Sequence, residues 1–154
     1  MIVNAFILAQ RYVGVREFSG AKDHPLVRWW FSLCGMGFEQ HDEVPWCSAF
    51  VNGIAWELSL PRSKSPAARS WLNVGERISL EDARPGWDVV VLSRGILPQP
   101  GLDVLAAPGH VGFFAGYADN SLVRILGGNQ SDEVTIDTFS GARVLAVQRL
   151  YPVR

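Results

Sequence analysis

Three residues of this chain, Cys47, His110 and Asn129, have the types and settings that nucleophilic acyl chemistry needs. Pro45 predicts the start of a helix, because the N–H it lacks would have no partner at the first helical position, and Cys47 is then the third residue. Backbone N–H groups in that turn lack intrahelical partners and the helix dipole is positive, so a thiolate is favoured. A thiolate is the form that attacks carbonyls, and the same N–H groups can stabilise the oxyanion that results. Placement alone nevertheless favours a small packing residue, since unpaired cysteine is among the most buried residue types. Cys34 falls in the last turn of its helix, where the dipole opposes a thiolate, and reads as packing.

A thiolate nucleophile needs a group that can accept and return a proton near neutral pH, which is the property of histidine. His24 and His41 stand beside Pro25 and Asp42 in cap-like settings and read as ordinary capping or solvated residues. His110 follows Pro108-Gly109 and opens the most apolar strand, so its ring can project from the strand end over a neighbouring helix terminus. The competing reading is a surface histidine at a strand end. Asn129 follows Gly127-Gly128 at the end of the next strand, and an antiparallel hairpin returns it beside His110, where a third group would set the imidazole tautomer. Residues 129–132 also have plain turn composition, and Asp132 is the alternative orienting group.

The elements that must position these groups differ between the two halves of the chain. In the first half apolar residues recur at helical spacing between caps. Asn4 caps a helix that runs to about Val13, buries Phe6, Ile7, Ala9 and Val13, and ends at Gly14. A second starts at Pro25 and carries Leu26, Val27, Trp30, Leu33 and Cys34 toward Gly35. The third runs from Pro45 through Phe50, Ile54 and Leu58 and stops near Pro61; a short fourth follows Ser65-Pro66 over 67–74. From Trp87 onward β-branched and aromatic runs predict strands at 88–92, 110–115, 122–126, 134–136 and 143–150, with a hairpin turn at 118–121. The Gly- and Pro-rich stretch between Leu92 and His110 is long for a loop without structure of its own, which suggests a functional segment. Helices followed by strands joined through short turns predict an α+β fold, with N-terminal helices packed on a C-terminal antiparallel sheet. No repeat or linker divides residues 1–154, so a single domain is expected.

Composition narrows the function. With 154 residues, 48% hydrophobic and 19% charged, the chain can bury one sizeable core and is not a disordered polymer. A net charge of -1 removes the electrostatic footprint of a general nucleic-acid binder. Two cysteines make no disulfide framework, and Cys34 and Cys47 lack the spacing of paired zinc ligands. The first ten residues lack a basic segment and are followed by Arg11, too short and too polar for a signal or membrane helix, so cytoplasmic synthesis without stable membrane insertion is expected. Most of the six tryptophans should fill the core, with Trp46 the best groove candidate. Asp42 and Glu43 could cap the third helix, bind substrate amines or oppose the thiolate, with capping favoured. Together with Glu39 they lack the regular ligand spacing of a calcium loop, so no metal and no cofactor are expected.

The segment Pro45-Trp46-Cys47-Ser48-Ala49-Phe50-Val51-Asn52 resembles the nucleophile segment of the CHAP and NlpC/P60-like cysteine peptidoglycan hydrolases, in particular a phage- and prophage-associated, endolysin-like branch. The similarity extends to residues 9–17, to 65–75 with Ala67-Ala-Arg-Ser-Trp71, to Gly109-His-Val-Gly-Phe113 and to Gly127-Gly-Asn-Gln130, nearly the whole length. It implies a papain-like fold and hydrolysis of an amide of the peptidoglycan stem, with Cys47 as nucleophile, His110 as base then acid, and Asn129 as the orienting residue. Trp46, Gln130 and Asp42 would contact substrate. Some related enzymes carry Glu two positions before the Asn, where this chain has Gly127, and a Gly-Asp pair where it has Gly86-Trp87-Asp88. The expected partner is peptidoglycan, acted on by a monomer delivered through a holin, a particle or a secretion apparatus. The same triad also suits a deamidase, an acyltransferase or a toxin, and the fold could serve as a wall-binding or virion module without activity.

Overall fold

The computed structural model describes residues 2–18, 24–35 and 45–151. Three helices come first: α1 (Ala5–Gln10), α2 (Pro25–Ser32) and α3 (Cys47–Glu57), followed by a 3-10 helix at Ala68–Asn73. Six strands follow: β1 (Glu76–Ile78), β2 (Asp88–Ser93), β3 (Gly109–Asp119), β4 (Leu122–Gln130), β5 (Glu133–Ser140) and β6 (Val144–Arg149). They form one antiparallel sheet in the order β1-β6-β2-β3-β4-β5, so the fold is α+β. Among the described residues no helix is long and apolar enough to cross a membrane.

Period-two alternation divides the sheet residues between two apolar clusters. Val89, Val91, Val111, Phe113 and Leu126 join Trp30, Phe50 and Ile54 of the helices, while Val90, Leu92, Phe114, Val123, Ile125 and Val147 form a second cluster. The central strand β2 is therefore buried along its whole length. The five strands read from the sequence are all present, and β3, β4 and β5 run beyond the ends expected for them. The three-residue edge strand β1, whose Glu76 and Arg77 are exposed, carries too little apolar pattern to be read from sequence.

The helices depart from their expected bounds for local reasons. Asn4 caps α1 as expected, its Oδ1 accepting the Ile7 N–H at 2.9 Å, but the helix stops at Gln10 and Val13 is exposed. The chain then pairs with β5: Gly14 N–H donates to Val134 O at 2.9 Å and Val134 N–H to Val15 O at 2.8 Å. Strand pairing replaces the last helical turn. The third helix starts at Cys47, two residues later than Pro45 predicts, because Trp46 takes the half-in position at φ -117° and ψ 19°. Its indole is held there by stacking on Trp30, with ring centroids 5.8 Å apart, and by an Nε1–H bond to Glu17 Oε1 at 2.6 Å. The expected fourth helix is 3-10 rather than α. Its approach is dictated by α3: Ser48 Oγ donates to Ser65 O at 2.7 Å and accepts from Trp71 Nε1 at 2.9 Å, while Asn52 Oδ1 accepts the Lys64 N–H at 2.9 Å.

The segment between β2 and β3 has no helix or strand, yet most of it is tied down by the side chain of Arg69. Fully buried Arg69 donates through Nη1 to the carbonyls of Pro100, Gly101 and Val104, at 2.9, 2.8 and 3.2 Å, and through Nε to Pro108 O at 3.1 Å. Irregular backbone carbonyls of residues that are themselves exposed thus find donors in a buried guanidinium. Arg69→Met should lower the unfolding free energy by roughly 2–4 kcal/mol, because several charge-assisted hydrogen bonds are lost. A urea midpoint equal to that of the parent protein would contradict this role.

Candidate active site

The end of β3 that carries His110 lies beside the end of β4 that carries residues 127–130, since Phe113 pairs with Leu126 across the two strands. Helix α3 packs on both strands and brings the Cys47 thiol, at its first residue, to the same place. Cys47 and Gln130 are 2% and 3% exposed, and His110 is 9% exposed. Two of the residues expected from sequence, Cys47 and His110, are thus brought together.

The imidazole is held by Gln130, whose Oε1 lies 2.9 Å from His110 Nε2. The orientation of that amide follows from its other contacts: Gln130 Nε2 donates to Thr135 O at 2.9 Å, Thr135 Oγ1 at 3.0 Å and Ile125 O at 3.2 Å. A nitrogen among carbonyl acceptors leaves the oxygen to face the ring, so Nε2 of His110 carries its hydrogen and Nδ1 is left for the thiol. Phe139 stacks on the imidazole with centroids 5.3 Å apart and planes 26° from parallel, which fixes the plane of the ring.

Burial pushes the Cys47 thiol up, but hydrogen bonding to His110, the charge of that ring, and the backbone N–H groups of Val111 and Ser48 outweigh it and hold the thiol below its ordinary value. For His110 burial acts downward, and the Cys47 partner and the Gln130 hydrogen bond overcome it, so protonation is favoured, against opposition from the charge of Arg94. Each group favours the charged form of the other. Cys34 is the contrast: burial pushes its thiol up to about 11, against the charge of Arg62 and a hydrogen bond with Asn52, and its Sγ donates to Trp30 O at 3.6 Å.

Asn129 does not take the orienting position expected of it. The β4–β5 register shifts between Gly127 and Gln130, and Asn129 sits at φ 56° in the bulge, which turns Gln130 rather than Asn129 toward His110. Asn129 instead lines the open hollow beside the imidazole. Gln130, expected to contact substrate, has its amide saturated by His110, Ile125 and Thr135 and acts on the ring. Asp132 is exposed in the turn. Trp46, expected in a groove, is fully buried between Trp30 and the Glu17 bond described above. Asp42 lies outside the described residues, as do Glu39, His41 and Glu43.

Two glycines let the strand pass through this crowded place. A Cβ on Gly127 would come within 2.5 Å of Gln130 Oε1 and 3.2 Å of His110 Nε2, which leaves no room for a Glu at that position. A Cβ on Gly128 would meet the Trp46 ring at 2.7 Å and Phe50 Cβ at 2.8 Å. Trp87 packs against the helix-side core and its carbonyl accepts from Leu150 N–H at 2.8 Å, and it does not line either hollow of the site.

Those two hollows flank the pair. One, of about 290 Å³, is lined by His110, Asn129, Gln130, Asp137, Phe139 and Arg143 among others; the second, of about 350 Å³, is lined by Cys47, Pro45, 66–68 and 107–109. Arg94 borders both. Among the described residues no three His, Cys, Asp or Glu side chains cluster as a metal site requires. Sequence reasoning missed Gln130 as the imidazole partner, Arg69 as the anchor of the wall, and the Ser48–Trp71 bond that shapes the second hollow. The Gly-Gly pair was the available signal for the first, since a bulge there shifts the alternation by one residue. No protein-family model matches the chain, and no curated protein matches it either.

Iodoacetamide labelling should reach Cys47 at pH values where Cys34 is inert, and His110→Ala should move the Cys47 profile to higher pH, because burial is then opposed only by the backbone N–H groups of Val111 and Ser48. Equal rates at the two thiols, followed by peptide mass spectrometry, would contradict the pair. Gln130→Ala should lower the turnover of a cysteine-dependent reaction by about 10- to 100-fold. Asn129→Gly, which keeps the left-handed backbone, should cost much less.

Proposed function

We propose that this chain is a cysteine hydrolase that cleaves an amide bond of the peptidoglycan stem, with a papain-like arrangement of a helix-borne thiol and a sheet-borne imidazole. The observation that carries the chemistry is the mutual charging of Cys47 and His110 under an imidazole fixed by Gln130. The resemblance of residues 45–52, 109–113 and 127–130 to the CHAP and NlpC/P60-like hydrolases supports the choice of substrate.

The reaction proceeds in two halves. Cys47 Sγ attacks the carbonyl carbon, a C–S bond forms, and the oxyanion is met by N–H groups at the start of α3. As the oxyanion collapses, His110 passes the Nδ1 proton to the amine nitrogen, the C–N bond breaks, and the amine leaves a thioester on Cys47. A water then gives its proton to Nδ1 and its oxygen to the carbonyl carbon, the C–S bond breaks, and the acid departs from a restored thiolate–imidazolium pair. Gln130 keeps Nδ1 facing the sulfur throughout, since its own contacts prevent the amide from turning.

Purified sacculi are the test substrate. The parent protein should release new amino groups and accumulate an acyl-enzyme on Cys47, Cys47→Ala should lose activity by roughly 1,000-fold or more, and Cys34→Ala should retain most of it. Full release by Cys47→Ala would remove the proposal. The pH profile should be a bell. Activity falls on the acid side as pH drops through the lowered Cys47 value, which protonates the thiolate, and on the alkaline side as pH rises through the raised His110 value, which removes the imidazolium.

A further inference from the structure

The two hollows beside the reacting pair differ in chemistry, and the difference bears on what the departing amine carries. The hollow on the Cys47 side is walled by Pro45, Pro66, Ala67, Ala68, Ala107 and Pro108, a set of small apolar side chains. The hollow on the His110 side has two guanidinium groups, Arg94 and Arg143, facing a single carboxylate, Asp137. Arg143 is already tied to backbone: its Nη1 donates to Gly95 O at 2.8 Å and Ser93 O at 3.5 Å, on either side of Arg94. The base of Arg94 is thereby held at the end of β2. The Arg94 side chain itself is exposed and makes no hydrogen bond or ion pair among the described residues. It borders both hollows, and its charge is felt at His110. An unpaired guanidinium at the mouth of a concave site is a fork of donors without an acceptor, and the group that matches it is a carboxylate.

Because His110 returns its proton to the departing amine, that amine lies on the His110 side of the scissile bond. We propose that Arg94 is a specificity-determining residue, recognising a free carboxylate on the amine-side portion of the substrate, while the apolar hollow takes the acyl-side portion. The substrate class is an amide whose leaving group is an amino acid or short peptide with an unblocked carboxylate. The inference rests on the hydrolase reading given above. Arg143 acts as a positioning residue that holds the backbone around Arg94.

The test uses soluble stem peptides released from peptidoglycan, as free acids and after amidation of their carboxylates. In the Cys47→Ala background, where no turnover occurs, the free acids should bind about tenfold or more tightly than the amidated peptides, measured by calorimetry. That preference should vanish in Cys47→Ala/Arg94→Gln, and Arg94→Lys should restore part of it. With the intact nucleophile, Arg94→Gln should raise KM for the free acids with a much smaller effect on kcat, and should leave KM for the amidated peptides unchanged. Equal binding of acid and amide, absence of binding, or a preference that survives Arg94→Gln would overturn the proposal. The hydrolase reading is tested separately by cysteine-dependent cleavage of sacculi, so a protein that cuts sacculi without discriminating acid from amide refutes only the role of Arg94. Arg94 is exposed, so these variants should keep the urea midpoint of the parent.

Discussion

The site depends on one amide that cannot turn. Gln130 is surrounded by the carbonyls of Ile125 and Thr135 and the Thr135 hydroxyl, which take its nitrogen and leave its oxygen for His110. This settles which nitrogen of the imidazole carries hydrogen and which faces the sulfur. A neutral amide is enough for orientation, whereas the stabilising charge for the imidazolium comes from Cys47. The pair therefore needs no buried carboxylate, and desolvation of thiolate and imidazolium is offset by each other and by the N–H groups of Val111 and Ser48.

Much of the surrounding fold serves to make that contact possible. The bulge at residues 127–130 shifts the side-chain alternation so that Gln130 reaches inward, and it requires glycine at the two positions where His110 and Trp46 leave no space. Trp46 packs against Trp30 and bonds Glu17, so Cys47, the first residue of α3, starts from a fixed point. Arg69 holds the irregular segment ahead of β3, and the Ser48–Trp71 bond holds residues 66–68. The two hollows are thus bounded by segments with little regular structure, anchored by buried polar groups.

Much of this was legible in the residues themselves. The β-branched and aromatic runs of β2 to β6 and the prolines at the start of α2 and just ahead of α3 announced an α+β fold, and the pairing of Cys47 with His110 followed from strand order and helix position. The errors have physical causes. Residues 11–13 read as helix because Val13 continues the apolar spacing of Phe6 and Ala9, but the edge of β5 offered unpaired backbone groups that captured residues 14–15. Asn129 was favoured for its residue type and its place at the strand end beside His110, neither of which reveals that a bulge across the Gly-Gly pair turns the next residue to the ring. Trp46 looked like a groove residue because aromatic type says nothing about which side of a helix start it occupies. Arg69 was invisible because its partners are backbone carbonyls some 31 to 39 residues away.

The central claim is that His110 carries its hydrogen on Nε2 and is charged by Cys47. Long-range proton–nitrogen correlation spectra of protein labelled in its histidine rings read both properties directly. An imidazolium at neutral pH in the parent protein, turning into the neutral Nε2–H tautomer in Cys47→Ala, is the expected result. A neutral His110 ring with the thiol present, or an Nδ1–H tautomer in either protein, would contradict the account.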